Sequence, residues 1–300
     1  MANPGSLSDL FREGPGGLPF AHLANDLGTA TVCLQGAHLT EWQPRSAATP
    51  VTFLAAAAHY APGKAIRGGI PVCWPWFGAH PTEKSLPSHG FARTAQWQAQ
   101  ELRPLDNGAT QLTLRLVDSD QSRAVWPHRF TLDYRVTVGE TLALELISVN
   151  TGDAPFSLSE ALHTYFRVGD IGAVQVVGLD GCRYADVADR GRRQQQAGPV
   201  VFGGEVDRVF LDTDSSCTIV DPGLSRCIHV DKTGSRSTVV WNPGELKAAT
   251  LADLTAAPVA VGGWRQLVCI ESANALDNRL TLLPGESHRL GVQYRAESSG

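Results

Sequence analysis

The feature of this sequence that most constrains its fold is an alternation of apolar and polar residues with a period of two. Apolar side chains occupy every second position over 112–116, 130–138 and 142–146, and a shorter alternation covers 30–34. Successive side chains of a strand point to opposite faces, so this pattern is typical of half-buried antiparallel strands. Helical periodicity is nearly absent, and only 246–254 is predicted as a short helix. The sequence therefore predicts an all-β protein.

Turn residues between the alternating segments predict how these segments connect. Asp106-Asn107-Gly108 predicts a tight hairpin turn, and Gly139-Glu140 predicts a second one. Further strands are predicted at 171–178, 217–221, 225–231, 236–241, 266–272, 278–283 and 287–295. No linker, low-complexity segment or fixed-period repeat divides the 300 residues, so one large single-domain β-sandwich is predicted. That domain is predicted to cover 18–296, after a flexible N-terminal segment at 1–17.

Composition narrows the class of protein and its partners. A hydrophobic content of 43% supports a substantial core, and a net charge of -5 argues against nucleic acid as the main partner. The N-terminus has no apolar signal-peptide core, and no long uncharged apolar run appears, so neither export nor a membrane partner is predicted. The six cysteines form no C-x-x-C pair and match neither a zinc site nor a disulfide framework. We therefore predict a cytoplasmic monomer without a metal.

The segment 67–93 is unusually dense in arginine, histidine, aromatic, proline and glycine residues. Arg67 and Arg93 stand at its two ends, each beside a glycine-containing turn. Fixed arginines next to a backbone that can approach a ligand closely are suited to a small anion. One alternative is that either arginine pairs with a structural carboxylate. Another is that the aromatic residues only pack a core loop.

Three titratable residues elsewhere are candidates for chemistry. His163 lies in an apolar, aromatic run, Glu271 ends a strongly apolar strand, and Asp207 opens another strand. Strand alternation places Glu271 on the face opposite Val268 and Ile270. A carboxylate there is costly to bury unless it is paired or functional. Each residue also has a structural alternative, namely a hydrogen-bonded core histidine, a salt bridge and a turn residue, respectively.

Six motifs follow one another in an order that resembles the aldose 1-epimerase (galactose mutarotase-like) superfamily. They are I-R-G-G-I-P-V-C-W-P-W-F-G, L-P-S-H-G-F-A-R, A-L-H-T-Y-F-R-V, D-R-V-F, V-W-N-P-G and V-C-I-E-S-A, and the resemblance spans about residues 20 to 295. The likeness is specifically to the glucose-6-phosphate 1-epimerase branch, also called hexose-6-phosphate mutarotases. It implies a β-supersandwich fold, a cytosolic location, a hexose 6-phosphate substrate and no metal or organic cofactor.

The resemblance implies that four residues bind the substrate: Arg67, His89, Arg93 and Asp207. The two arginines line the pocket for the substrate and its phosphate, and the histidine and the aspartate lie on the sugar. Ser88 departs from members that have glutamine before the His-Gly pair. A hydrogen bond from that position is therefore not carried over to this chain.

The resemblance assigns His163 as the catalytic acid and Glu271 as the catalytic base, and these residue types suit the chemistry. Interconverting the α and β anomers of an aldose requires a base that removes the O1 proton and an acid that protonates the ring oxygen. A carboxylate and an imidazolium on opposite sides of the ring suit these two tasks. An ionised Glu271 nearby is expected to favour the charged form of His163 and to oppose the cost of burial.

Two other classes of function remain open. A glycoside hydrolase or lyase would need a second carboxylate across the scissile bond, for which Asp207 is the candidate. A non-catalytic carbohydrate-binding module would use the aromatic residues and would need no base. Glucose release from an oligosaccharide would support the first, and sugar binding without faster anomer exchange would support the second. Similar folds host many functions, so the fold alone does not separate them.

Overall fold

The computed structural model describes residues 7–255 and 263–299, and most of their regular structure is β-strand. In chain order the strands are β1 (Phe11–Glu13), β2 (Pro19–Asn25), β3 (Gly28–Cys33), β4 (His38–Pro44), β5 (Val72–Cys73), β6 (Gln98–Pro104), β7 (Thr110–Val117), β8 (Phe130–Val138), β9 (Leu142–Asn150), β10 (Phe156–Leu158), β11 (Glu160–Leu162), β12 (Tyr165–Arg167), β13 (Gln175–Val177), β14 (Arg183–Asp186), β15 (Arg192–Gln195), β16 (Val206–Leu211), β17 (Cys217–Asp221), β18 (Arg226–Thr233), β19 (Ser237–Asn242), β20 (Leu267–Asn274), β21 (Leu280–Leu282) and β22 (Ser287–Ser298). The α-helices are α1 (Asp120–Val125), α2 (Gly244–Ala248) and α3 (Ala252–Thr255). Short 3-10 helices occupy Leu7–Leu10, Pro15–Gly17, Ala92–Thr94, Ile171–Ala173, Pro222–Leu224, Trp264–Gln266 and Leu276–Asn278.

The strands assemble into two eight-stranded antiparallel sheets and two smaller ones. Sheet I has the order β15-β14-β16-β19-β20-β11-β5, and β12 also pairs with β20. Sheet II has the order β13-β17-β18-β22-β9-β8-β7-β6. A four-stranded sheet, β1-β2-β3-β4, and the pair β10-β21 accompany them. The all-β prediction is confirmed.

Sheet II packs against sheet I through the apolar residues that alternate along its strands. Every second residue of β8 and β9 is buried, as the pattern of apolar positions requires. Their apolar side chains join Val268 and Ile270 of β20 in one hydrophobic core. Phe166 of β12 meets Tyr294 of β22 edge to face, with ring centroids 5.1 Å apart. Each large apolar side chain buried in this way contributes about 1.5–3 kcal/mol to stability.

Both predicted hairpins are present. The turn between β6 and β7 closes where the Gly108 N–H donates to the carbonyl oxygen of Leu105 at 2.9 Å, with Gly108 at a φ of 82° that favours glycine. The turn between β8 and β9 brings Val138 opposite Leu142, so residues 139–141 form the loop. Turn chemistry therefore located both connections correctly.

The predicted strands at 217–221, 225–231, 236–241, 266–272 and 287–295 correspond to β17, β18, β19, β20 and β22. The strand predicted at 278–283 is shortened to β21, and the one at 171–178 to β13. A 3-10 helix replaces the start of the latter because the Asp170 side chain accepts a hydrogen bond from the Gly172 N–H. That side chain-to-backbone bond competes with the extended conformation.

The helix predicted at 246–254 is divided into α2 and α3. The backbone N–H and the hydroxyl of Thr250 both donate to the Lys247 carbonyl oxygen, at 3.0 and 2.7 Å. These bonds close a turn that ends α2, so the chain leaves the first helical axis before α3 begins.

The N-terminal part of the chain pairs with the rest of the fold where it is described. β1 runs antiparallel to β2, with Phe11 opposite Ala21. Residues 1–6 of the segment predicted as flexible at 1–17 lie outside the described residues, so that flexibility and the domain limits stay predictions. Within 7–255 and 263–299 no helix is long and apolar enough to cross a membrane.

Candidate active site

The outer face of sheet I carries the candidate site, because β20 alternates as its sequence predicted. Val268 and Ile270 point into the core between the sheets. Cys269 lies in a second hydrophobic cluster on the other face, together with Tyr165 and Trp241. The predicted placement of Glu271 on the face opposite Val268 and Ile270 is consistent with these two clusters. The site face therefore combines apolar side chains with a few polar groups.

Neighbouring strands of sheet I bring two of the predicted residues into contact. Leu162 of β11 pairs with Ser272 of β20, and His163 and Glu271 follow one step further along. The distance from His163 Nε2 to Glu271 Oε1 is 3.3 Å. Both residues are buried, with 8% and 1% of their surface exposed. His163 and Glu271 therefore contact each other directly.

Aromatic rings hold the imidazole of His163 in place. The Tyr165 ring stacks on it with centroids 4.8 Å apart and an interplanar angle of 10°. The rings of Trp241 and His89 meet it edge to face, with centroids 6.2 and 5.6 Å from its own. A side chain packed on several sides loses its alternative rotamers, so the imidazole is pre-organised for its contact with Glu271.

The segment 67–93 forms a wall beside this pair. His89 has a φ of 65°, which is uncommon for a residue with a side chain, and its N–H donates to Gly78 O at 2.7 Å. Its ring packs edge to face on Phe77 with centroids 4.9 Å apart. At Gly90 a Cβ would lie 1.9 Å from the Trp74 carbonyl oxygen, so only glycine allows the segment to return this closely. The backbone thus aims His89 at His163.

The segment 67–93 packs the core with some of its aromatic residues and lines the site with others, so both interpretations of its composition apply. Trp74 and Trp76 are buried in the core between the sheets, as a core-packing loop requires. Phe77, by contrast, packs against the cluster on the site face. The tryptophans therefore anchor the segment, whereas Phe77 and His89, which follow them, face the site.

Burial sets the protonation of the central pair. It raises the pKa of Glu271 well above the ordinary value, with the charge of Asp207 adding to the rise and Arg93 opposing it. Burial also lowers the pKa of His163 well below 6.5, and His89, Arg93 and Arg67 lower it further. The expectation that Glu271 keeps the imidazole charged is not met, because desolvation favours the neutral forms of both groups.

Each member of the pair also has a buried polar atom without a hydrogen-bond partner in the structure. These atoms are His163 Nδ1 and Glu271 Oε2. Buried polar groups are nearly always paired, and the exceptions concentrate where a ligand or a reaction is served. These two atoms are available to form hydrogen bonds with a polar ligand.

The two arginines are held in different ways. Arg67 donates from Nε to Asp253 Oδ2 and from Nη1 to the Tyr165 hydroxyl, both at 3.1 Å. Arg93 donates from Nη2 to the Ser88 carbonyl oxygen at 2.7 Å, and it forms no ion pair with any described residue. Pairing of an arginine with a carboxylate, left open by the sequence, is thus observed for Arg67. At position 88 the backbone makes the contact with Arg93.

Asp207 of β16 lies beside the pair and acts on it through its charge. Burial raises its pKa to about 6, Lys247 opposes that rise, and Glu205 and Asp186 add to it. The Lys247 Nζ lies 4.0 Å from Asp207 Oδ2 and also bonds Glu205. The negative charge of Asp207 in turn raises the pKa of Glu271. All of the predicted site residues are therefore connected by contact or by charge.

His89 is neutral at neutral pH in this setting. Burial, Arg93 and Arg67, in that order, lower its pKa to about 3. A neutral imidazole can accept a hydrogen bond on one nitrogen and donate one from the other, and here Nδ1 accepts the Gly78 N–H at 3.4 Å.

Sequence reasoning missed several residues of this site. Tyr165 stands two positions after His163, so a period of two would have placed it on the same face. Trp241 lies within the V-W-N-P-G motif. No local pattern marks Asp253 or Lys247, because both reach the site from the short helices that follow β19.

Within the described residues no group of three or more histidine, cysteine, aspartate or glutamate side chains could hold a metal ion. The absence of a metal or cofactor from the reaction stays a prediction.

Comparisons with solved structures define the class of protein. A crystal structure described as a "putative mutarotase" from Salmonella typhimurium matches with a TM-score of 0.87 at 33% identity, covering 98% of this chain and 95% of that chain. A galactose mutarotase related enzyme from Lactobacillus acidophilus matches with a TM-score of 0.72, covering 93% and 98%, and at 13% identity this likeness shows the fold alone. The chain has the galactose mutarotase-like β-supersandwich fold.

Sequence comparisons then identify the family. The family model for aldose 1-epimerase matches residues 20–295. A relative from Salmonella typhimurium, named "Putative glucose-6-phosphate 1-epimerase", is 38% identical over 247 residues, which are 82% of this chain and 80% of the relative. The chain belongs to the aldose 1-epimerase family and is an isomerase of this type.

Proposed function

We propose that this protein interconverts the α and β anomers of a hexose 6-phosphate, with glucose 6-phosphate as the principal substrate. The observation that carries the proposal is the buried contact of 3.3 Å between His163 and Glu271. Each of these residues also keeps one buried polar atom free of partners in the structure. The name of the relative that is 38% identical, a glucose-6-phosphate 1-epimerase, supports the choice of substrate.

The reaction opens and re-closes the sugar ring. Glu271 removes the proton from the anomeric O1 hydroxyl while His163 donates a proton to the ring oxygen O5, and the C1–O5 bond breaks to give the aldehyde. Rotation about C1–C2 turns the other face of the aldehyde toward O5. The reverse proton transfers re-form the ring as the other anomer, and both side chains return to their starting states.

Direct contact between the acid and the base suits this chemistry. O1 and O5 are bonded to the same carbon, so the groups that serve them must also lie close together. A glycosidase, in contrast, needs two carboxyl groups separated by at least about 5 Å across the scissile bond. The adjacency of His163 and Glu271 therefore favours anomer exchange over glycoside hydrolysis.

The protonation of the pair is also suitable. Burial favours neutral His163 and protonated Glu271, so together they hold one titratable proton, on Glu271. The reaction also needs one proton on the pair, carried by His163 and not by Glu271. Transfer across the 3.3 Å contact converts one arrangement into the other, and the substrate hydroxyl supplies a polar partner that the empty site lacks.

The remaining predicted residues orient the substrate. Arg93 and Arg67 bind the phosphate with charge-assisted hydrogen bonds, and Asp207 and neutral His89 bond the sugar hydroxyls. Because these groups bind parts of the substrate that do not react, they position C1 against the acid–base pair. The enzyme is proposed to act as a cytoplasmic monomer on this small-molecule substrate, without a cofactor.

The test is NMR exchange spectroscopy between the two anomers of glucose 6-phosphate. A blank without protein is essential because the anomers also exchange spontaneously, and the Glu271→Gln variant serves as the matched catalytic control. We expect exchange well above the blank for the wild type and a rate near the blank for the variant. A wild-type rate equal to the blank would refute the proposal. Sugar binding without faster exchange would favour a binding module, and glucose release from an oligosaccharide would favour a hydrolase.

A further inference from the structure

A contact outside the predicted site fixes the direction of Arg67. Asp253 of α3 accepts the Nε–H of Arg67 at 3.1 Å, and the Tyr165 hydroxyl accepts an N–H of its Nη1 at the same distance. The side chains of Arg67 and Asp253 are 27% and 29% exposed, so this ion pair is shielded from solvent on most sides. Two partners on different edges define the plane of the guanidinium group.

These two bonds leave N–H donors on Nη1 and Nη2 of Arg67 available to a ligand. A guanidinium group has five N–H donors, and the two bonds use one on Nε and one on Nη1. The donors that remain, on Nη1 and Nη2, form the fork that binds two phosphate oxygens at once. A fork that is already oriented loses less conformational entropy when the ligand binds.

Arg93 makes a useful comparison because it lacks such a partner. Among the described residues its only hydrogen bond is to the Ser88 carbonyl oxygen, and it forms no ion pair with any of them. Its charge is therefore not offset, whereas the charge of Arg67 is offset by Asp253. Arg93 is thus suited to attracting a dianion, and Arg67 is suited to fixing its orientation.

The same contacts connect the phosphate end of the site to the catalytic end. The Tyr165 hydroxyl bonds Arg67, and the Tyr165 ring stacks on His163 with centroids 4.8 Å apart. A phosphate held by the oriented fork is therefore placed at a set distance from the imidazole.

We infer that Asp253 is a positioning residue that orients Arg67 toward the substrate phosphate and thereby gives the site its preference for phosphorylated sugars. The inference rests on the function proposed above. Its essential feature is the hydrogen-bond acceptor of Asp253 rather than its negative charge. Removing the acceptor weakens phosphate recognition, whereas neutralising the charge while keeping an acceptor does not.

The experiment compares Asp253→Ala, Asp253→Asn and a matched control, Asp277→Ala. Asp277 also pairs with an arginine, Arg193 at 3.0 Å, but this pair is far more exposed, with side chains 52% and 62% accessible. Binding of inorganic phosphate is measured by titration calorimetry. Anomer exchange is measured by NMR on glucose 6-phosphate and on free glucose, and thermal melting checks the fold of every variant.

We expect Asp253→Ala to weaken phosphate binding and to raise the KM for glucose 6-phosphate by about tenfold, the usual effect of losing one charge-assisted contact. The kcat should change by less than about twofold, and exchange of free glucose should be unaffected. Asp253→Asn should stay within about threefold of the wild type, because its amide oxygen still accepts the Nε–H. Asp277→Ala should match the wild type on both sugars.

Several outcomes would overturn the inference. Tighter phosphate binding in both Asp253 variants would show that the carboxylate repels the ligand. Equal losses of activity on both sugars would show that Asp253 only supports the fold. A wild type that binds no inorganic phosphate would show that the site does not recognise this group. If the wild type binds phosphate but does not accelerate anomer exchange, the proposed function fails, while the calorimetric comparison still decides the role of Asp253.

Discussion

Replacing Asp207 with asparagine should stabilise the fold, because this carboxylate is buried at a cost. Its side chain is 19% exposed, and its pKa is raised from 3.8 to about 6, chiefly by burial. One pKa unit corresponds to 1.36 kcal/mol, so at pH 7 ionised Asp207 lowers the free energy of unfolding by about 3 kcal/mol. Asparagine has nearly the same shape and carries no charge. For a chain of this length the gain corresponds to a rise in Tm of about 5 °C.

The sign of the effect makes it dependent on pH. Below 3.8 the carboxyl group of Asp207 is protonated in both the folded and the unfolded chain, so it costs nothing. As the pH rises through the unfolded pKa toward the folded pKa of about 6, the unfolded chain loses the proton first, and the folded state becomes relatively less stable. The advantage of Asp207→Asn over the wild type should therefore be about 3 kcal/mol at pH 7 and about 1.5 kcal/mol at pH 5.

The assay is denaturant unfolding of both proteins at pH 5 and pH 7. Asp212→Asn is the control, because Asp212 has a pKa lowered first by its bond from Asn278 and further by Arg236 and Arg183. Its replacement should not stabilise the protein. If Asp207→Asn is no more stable than the wild type at pH 7, or if its advantage does not shrink at pH 5, the burial argument is wrong.

Three further predictions concern the proposed reaction. Glu271→Gln and His163→Ala should each lower kcat at least about a hundredfold with the fold intact by circular dichroism, and wild-type rates in both would remove the acid–base assignment. Prolonged dialysis against a chelator should leave the exchange rate unchanged, and a loss that zinc or magnesium restores would contradict metal-free catalysis. Arg67→Ala and Arg93→Ala should each lower kcat/KM for glucose 6-phosphate by roughly tenfold to a hundredfold while leaving free glucose nearly unaffected. Equal losses on both sugars would mean that the arginines hold the sugar ring or the fold instead.

The sequence by itself determined the β architecture and the faces of its strands. The period of two in 130–138 and 142–146 follows directly from strand geometry, so it predicted both the strands and the faces that pack into the core. The same rule placed Val268 and Ile270 in that core, on the face opposite the one predicted for Glu271. Motifs selected the candidate residues, because residue types and their order along the chain are all that a motif requires.

Short-range competition limited the prediction of the smaller elements. The Asp170 side chain captures a backbone N–H and begins a 3-10 helix where apolar residues alone suggested a strand. Two bonds to the Lys247 carbonyl oxygen similarly divide the predicted helix at 246–254. Such local bonds compete with regular secondary structure, and hydrophobic patterns do not record them.

Only the tertiary structure decided how the candidate residues act together. The 3.3 Å contact between His163 and Glu271 depends on the register of β11 against β20, and no local pattern specifies the pairing of strands so far apart in the chain. The protonation of the pair depends on burial, which sheet packing and the wall at 67–93 create together. The hydrogen bond from Arg67 to Asp253 depends on where helix α3 meets the start of the segment 67–93. A sequence records which groups are present, whereas distance and desolvation, which set their chemistry, arise only when the chain is folded.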